Sequence, residues 1–215
     1  MSRRSAAASP PFSPETPPPL TAVTEREKML AGECYDSRDP ELIALYWRAR
    51  QFMQEFQNAM AHPGRMEILR CVLGELGAEV WIEPPFVFEY GPHISIGART
   101  YLNSGVFVQD CARVHIGQDG LIGPGVKFCT ASHPLDSRDR IVTLPDGRTG
   151  YRTSALPIHV GDRCWIGADV TVLGGVTIGD DAVIGAGSLV TRDVPPGTLA
   201  LGTPARVIRP VTTPG

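Results

Sequence analysis

The chain has 215 residues, 42% hydrophobic and 20% charged, with 20 basic against 23 acidic side chains and a formal charge of -3. This is the composition of a soluble globular protein of about one ordinary domain, and its charge gives no field that would favour nucleic acid or an anionic membrane surface, so any anion site must be local. No apolar run reaches the roughly 18 residues of a membrane span, and the N-terminus lacks the apolar core of a secretory signal, which points to a cytoplasmic protein.

Residues 1–23 are rich in Pro, Ser and Ala and hold almost nothing that could enter a core, so they read as a disordered tail. Arg3, Arg4 and the serines are transit-peptide features, but the prolines oppose an amphipathic helix there. Residues 24–77 read as a helical module. Thr24 followed three residues later by Glu27 forms a capping box, and Gly32 ends this first short helix. A second helix opens at Pro40. Leu42, Leu45, Tyr46, Ala49, Phe52, Met53, Phe56 and Met60 recur at three and four along it, and His62-Pro63-Gly64 ends it. A third helix is expected in "RMEILRCVLGEL". The module either covers one end of the main domain or takes part in binding substrate.

From residue 78 to 210 the chain is a repeat. Val160, Ile166, Val172, Ile178, Ile184 and Val190 stand six apart. Small residues follow four positions after each of the first five, and Gly161, Gly167, Gly179 and Gly185 directly follow four of them. An α-helix keeps no face at a period of six, and a strand repeats at two. A solenoid fits: each hexad is one short strand and a turn, the aliphatic residue points inward, and the glycine supplies the unusual turn torsions. The same register is legible upstream at Tyr90, Ile96, Leu102 and Val108, slips by two residues, and resumes at Ile116, Ile122 and Phe128. Burying one anchor contributes roughly 1.5–3 kcal/mol, whereas fixing one residue's backbone costs roughly 1–2 kcal/mol, so a single coil cannot stand alone. Stacking, end caps and oligomerisation supply the rest.

Between Phe128 and Val160 the repeat is broken by 31 residues, which read as a loop over 129–158 around His133. Loops that leave a repeat commonly carry its function. Pro134 restricts the backbone beside His133, and a neutral imidazole titrates near enough to pH 7 to act as a general base. No Ser or Cys stands in a recognisable nucleophile motif. The five cysteines, Cys34, Cys71, Cys111, Cys129 and Cys164, are scattered and lack a C-x-x-C pair, so they read as reduced structural thiols.

The hexads, together with "REKMLAGECY", "RARQFMQEFQ", "WIEPPFVFEYG", "YLNSG", "TASHPLD", "CWIGADV", "VIGAGSLVTRDVPPG" and "GTPARVIR", resemble the hexapeptide-repeat acyltransferases. The likeness is to the maltose, galactoside and nodulation-type sugar O-acetyltransferases and spans about residues 26–209. It implies a mainly β fold, a left-handed parallel β-helix with a small N-terminal helical module and a long loop excursion. It also implies transfer of an acetyl group from acetyl-CoA to a sugar hydroxyl, with no metal, in a homotrimer whose active sites lie between subunits. Carried onto this sequence, the resemblance makes His133 the base and Asn103 an active-site amide for substrate or acetyl group. It places Tyr101, Asp110 and Glu89 toward the sugar and Trp165, Ala168 and Ala186 along the pantetheine arm. Thr191, Arg192, Arg206 and Arg209 fall near the coenzyme phosphates. Two departures touch the acceptor pocket: Thr153 and Leu156 stand where relatives often have Glu and Lys, and Tyr46 where sugar-acetylating relatives often have a basic residue.

Three other readings stay open. The acceptor is not a sugar; or the chain is a non-catalytic scaffold, against which His133, Asn103 and the C-terminal arginines speak; or it is a metal-dependent hydratase similar to the γ-class carbonic anhydrases. The last is prompted by His115 and His133 standing 18 residues apart, but it needs three histidine ligands, and the chain has no H-x-x-x-x-H.

Overall fold

The computed structural model describes residues 23–144 and 147–211. Residues 1–22, all but the last residue of the tail read above, and residues 212–215 lie outside the described residues. Three helices precede the solenoid: α1 (Glu25–Leu30), α2 (Pro40–Asn58) and α3 (His62–Arg70). The Thr24 hydroxyl accepts from the Glu27 amide while the Glu27 carboxylate accepts from the Thr24 amide, completing the capping box. At its other end Gly32 takes a φ of +78°. The Glu33 amide then reaches Lys28 O at 3.0 Å and the Gly32 amide reaches Met29 O at 3.2 Å, which closes the helix. Asp39 caps α2 with Pro40 in its first turn. His62-Pro63-Gly64 does more than stop α2, because Pro63 sits in the first turn of α3.

The rest is a three-sided parallel β-helix. One face stacks Glu75–Leu76, Ile94–Ile96, Val114–Ile116, Ile158–Val160 and Thr177–Ile178. The second stacks Trp81–Ile82, Tyr101–Leu102, Leu121–Ile122, Trp165–Ile166, Val183–Ile184 and Thr198–Gly202, and ends on the antiparallel strand Ala205–Pro210. The third stacks Val87–Phe88, Phe107–Gln109, Lys127–Cys129, Thr171–Leu173 and Leu189–Val190. The anchors read from the sequence point inward, and Val160, Ile166, Val172 and Ile178 are fully buried.

Two expectations are corrected. Phe88, not Tyr90, holds the anchor place, pairing in register with Val108 and through it Phe128. The steps from Phe88 to Ile96 and from Val108 to Ile116 therefore both carry two extra residues, at one corner of the prism. The excursion 129–158 leaves from that same corner one coil later. The glycines after the anchors do not supply the unusual torsions either. Left-handed φ falls two residues after each of them, on Arg163, Asp169, Asp181 and Gly187, and at the upstream positions Glu79, Arg99 and Asp119. Glycine is needed for close approach: a Cβ on Gly117 would lie 2.4 Å from Asp162 Oδ1 and 2.6 Å from the Gly161 carbonyl carbon.

The helical module serves two cores. Ala49 and Phe56 of α2 and Met66 and Leu69 of α3 join the solenoid core and cover its first coil. Met29, Tyr35 and Leu42 form a second cluster with Tyr90, Cys111, Ala112 and Ala155, packed against Ala131 beneath the excursion. Within the excursion, Ala131–Ser132 pairs antiparallel with Ser154–Ala155. A short helix, α4 (Ser137–Arg140), leads into the hairpin Ile141–Thr143 and Thr149–Tyr151.

Candidate active site

Outward residues differ sharply between faces. The first face shows Ser95, His115, His159 and Thr177, in register. The second shows Trp81, Tyr101, Leu121, Trp165 and Val183. Trp81 is 45% exposed, Leu121 55% and Trp165 57%, more apolar surface than a solenoid face leaves to water without a use for it. Against this column runs a cleft of about 550 Å³ lined by Tyr101, Asn103, Trp165, Ala168, Ala186 and Leu199, among others. Five residues singled out from sequence thus meet in one place. Asn103 Oδ1 accepts from the Ser104 amide at 2.8 Å, leaving its NH₂ group to donate outward. Among the described residues, the backbone N–H groups of Ala168 and Ala186 have no acceptor, so the cleft wall carries free donors.

At the C-terminal end of the cleft, Leu199 pairs in register with Arg209. Arg192 and Arg206 line a hollow of about 170 Å³ on the same end. Among the described residues none of these three arginines makes an ion pair, and Thr191 is exposed beside Arg192. These three guanidinium groups stand on the last coil without an ion-pair partner among the described residues, with Asp193 lining the same hollow as Arg192 and Arg206.

The residues placed toward a sugar separate. Glu89 lines a different groove, of about 380 Å³, with Ser37, Ile43, Tyr46, Trp47 and Tyr90. Burial raises the Glu89 carboxyl above its ordinary range, and Arg50, at 3.6 Å, works against that rise. Arg50 lies 4.0 Å over the Tyr46 ring and donates to Phe88 O at 2.7 Å. Asp110 reaches neither groove. It is fully buried; Oδ1 accepts from the amides of Glu89 (3.1 Å) and Tyr90 (2.8 Å), and Oδ2 from those of Gly91 (2.8 Å) and His93 (3.4 Å). It organises the expanded corner and has no free oxygen for a sugar. Arg50 and Trp47 were missed in the sequence, although Ile43 and Trp47, one turn apart on the side of α2 away from its buried residues, were a signal.

His133 is exposed on the excursion and lines neither groove of its own chain. Its Nδ1 lies 3.0 Å from the Arg152 carbonyl oxygen and 3.4 Å from Thr153 Oγ1. A carbonyl only accepts, so Nδ1 carries a proton and in the neutral ring Nε2 carries the lone pair. His115 does not stack with His133. Its neighbour is His159, with ring centroids 4.7 Å apart and planes 7° apart, because the excursion carries His133 away from the prism. Among the described residues no three His, Cys, Asp or Glu side chains converge to hold a metal ion.

Residues 28–77 match the maltose acetyltransferase hexapeptide capping motif and residues 157–192 the bacterial transferase hexapeptide (six repeats). Nodulation protein L of Rhizobium meliloti is 44% identical over 86% of this chain and 97% of its own length. The chain belongs to the hexapeptide-repeat acetyltransferases. A solved acetyltransferase from Vibrio cholerae, complexed with acetyl coenzyme A, is 39% identical over 88% of this acetyltransferase and all of its own chain, with a TM-score of 0.78. A maltose O-acetyltransferase from Clostridium difficile has a TM-score of 0.81 at 35% identity, over 88% of this acetyltransferase and 98% of its own chain. The cofactor of such a chain is acetyl-CoA, and the cleft with its free amides and terminal arginines has the chemistry to hold it.

Proposed function

We propose that the enzyme transfers the acetyl group of acetyl-CoA to a hydroxyl of a sugar, glucose, maltose or a related glycoside, with His133 as general base. The observation that carries this reading is the cleft under Trp165. It is lined by apolar side chains and by unpaired amides at Ala168 and Ala186 and reaches Leu199, whose strand partner is Arg209, while Arg192 and Arg206 line a separate hollow on the last coil. Those parts suit the apolar pantetheine arm, carbonyl oxygens that need N–H donors, and the phosphates of coenzyme A. In the reaction, Nε2 of His133 takes the acceptor hydroxyl proton as that oxygen attacks the thioester carbonyl carbon. The resulting oxyanion needs fixed donors, which the Ala168 amide and the Asn103 NH₂ supply. Collapse breaks the C–S bond and gives the proton from the imidazolium to the leaving thiolate, so acetyl sugar and free coenzyme A leave and the base is restored. The Glu89 and Arg50 pair beside the Tyr46 and Trp47 rings suits a sugar, whose hydroxyls need planar polar partners and whose C–H face packs on aromatics.

His133 and the cleft lie apart in one chain, and the second face leaves its aromatic column exposed. A homotrimer that buries this column and brings His133 of one subunit to the cleft of the next accounts for both. Incubation with acetyl-CoA and each sugar, with product mass read directly, tests the reaction. A product heavier by one acetyl group and an equal amount of free coenzyme A are expected. Acetylation of amines with every sugar untouched would move the acceptor outside this reading.

A further inference from the structure

We propose that Thr153, clamped between Tyr35 of the helical module and His133 of the excursion, is a positioning residue that fixes the His133 imidazole with Nε2 unprotonated and facing the acceptor. The inference rests on His133 being the base and adds what holds it. The antiparallel pairing of Ala131 with Ala155 and Ser132 with Ser154 places residue 153 directly across from residue 133. Thr153 is only 6% exposed, and its Oγ1 stands 3.4 Å from His133 Nδ1 and 3.3 Å from the Tyr151 carbonyl oxygen. The Tyr151 carbonyl takes the hydroxyl proton, so Oγ1 is left to accept from Nδ1–H alongside the Arg152 carbonyl. Both partners of the imidazole are therefore neutral oxygens, and among the described residues no carboxylate is bonded to the ring. They act most when the ring gains a proton at Nε2, since bonds from a charged donor are the stronger ones.

The clamp is set from outside the excursion. The Tyr35 amide donates to the Thr153 carbonyl at 3.2 Å, and Arg38 Nη1 donates to the Thr149 carbonyl at 3.1 Å. Tyr35 itself is 5% exposed in the cluster that holds Ala155. The module thus reaches the base through main-chain pairing on one side of Thr153 and a hydroxyl on the other.

The test compares Thr153→Val, which keeps shape and removes the hydroxyl, with Thr153→Ser, which restores it. Thr153→Val is expected to lower kcat about tenfold, the loss of one bond to a charged group, with the KM for acetyl-CoA unchanged. Thr153→Ser is expected within about twofold of the parent. Nitrogen-15 chemical shifts of the His133 ring, read on the unmodified enzyme, should show the Nδ1–H tautomer, and Thr153→Val, which leaves the Arg152 carbonyl as the remaining acceptor, should raise the share of the other tautomer. A parent ring protonated at Nε2, or a Thr153→Val enzyme with full kcat and an unchanged tautomer, overturns the proposal whatever the folding of other variants. Full turnover in His133→Ala would instead remove His133 as the base, a separate failure.

Discussion

Arg163 and Asp181 stand one above the other on adjacent coils, both with left-handed backbone (φ 57° and 58°), joined by Nε to Oδ1 at 2.7 Å and Nη2 to Oδ2 at 2.9 Å. Glu79, Arg99 and Asp119 occupy the same corner below them, so acid and base alternate along the stack, and Arg99 Nε reaches Asp119 Oδ1 at 2.6 Å. A non-glycine residue at positive φ is strained, and the alternating pairs oppose that strain.

Two substitutions separate the terms. Arg163→Ala removes the pair and keeps the strain, whereas Arg163→Gly removes both, so the glycine variant is expected to melt at the higher temperature of the two. Raising the salt should shrink the gap between parent and either variant. The bond from Arg163 holds the Asp181 carboxyl below its ordinary range. Its contribution is therefore present above the ordinary carboxylate value and is lost as pH falls through the lowered folded one. Equal melting of the two variants would show that the corner strain is negligible.

His93 gives a second pH dependence. Burial, the largest cause, lowers it to about 4 from 6.5. Its Nδ1 donates to the Asp110 carbonyl at 2.7 Å, and its Nε2 accepts from Arg26 Nε at 3.2 Å, an arrangement that suits only the neutral ring. Between these values the unfolded chain binds the proton that the folded chain refuses. Stability therefore falls as pH drops from about 6.5 toward about 4, by an amount on the order of 3 kcal/mol. His93→Gln should flatten that limb of a stability-against-pH curve, and an unchanged slope would place the acid sensitivity elsewhere.

Asp110 is expected to matter for stability and not for acceptor affinity. Asp110→Asn replaces an acceptor oxygen by a donor facing amides, leaving buried N–H groups unpaired at about 1–3 kcal/mol. Chemical denaturation should show that loss, while KM for the acceptor in the enzyme that remains folded stays near the parent's. A large rise in KM with unchanged stability would return Asp110 to the substrate.

For the phosphate end of the coenzyme, Arg206→Ala and Arg209→Ala should raise KM for acetyl-CoA several-fold and leave acetyl-pantetheine, which has no phosphates, nearly unaffected. Equal losses on both donors would mean the arginines act on folding of the last coil.

The solenoid was legible because one residue in six is buried against its equivalents above and below, which leaves a period no helix or isolated strand shares. The break around His133 was legible for the same reason. Phe88 was misread because two extra residues at one corner carry Tyr90 into the register by arithmetic, and only stacking reveals that Phe88 faces Val108. The glycine torsions were misplaced because close approach and left-handed φ fall two residues apart on the same turn. In the site, Asn103, Trp165, Ala168 and Ala186 line one cleft, since Trp165 and Ala168 share a coil and Ala186 stands one coil beyond Ala168. Asp110 and the partners of His133 were out of reach, because they depend on a corner and a loop whose shape is set by contacts between distant segments.

The proposed sharing of sites between subunits makes complementation informative. His133→Ala and a cleft variant such as Trp165→Ala, each inactive, should regain about a quarter of parental activity when unfolded together and reassembled at equal ratio, as random mixing restores intact sites. Persistent inactivity in verified mixed trimers would place His133 and its cleft in one chain.

The most direct measurement of the central claim is continuous release of thiol from acetyl-CoA by the parent enzyme and by His133→Ala, with glucose, maltose, a galactoside, glucosamine and an amino-acid control. The account predicts sugar-dependent release by the parent and a fall of about 10²–10⁴ in His133→Ala, with folding and acetyl-CoA binding retained. Sugar-dependent release that survives intact in His133→Ala would contradict it.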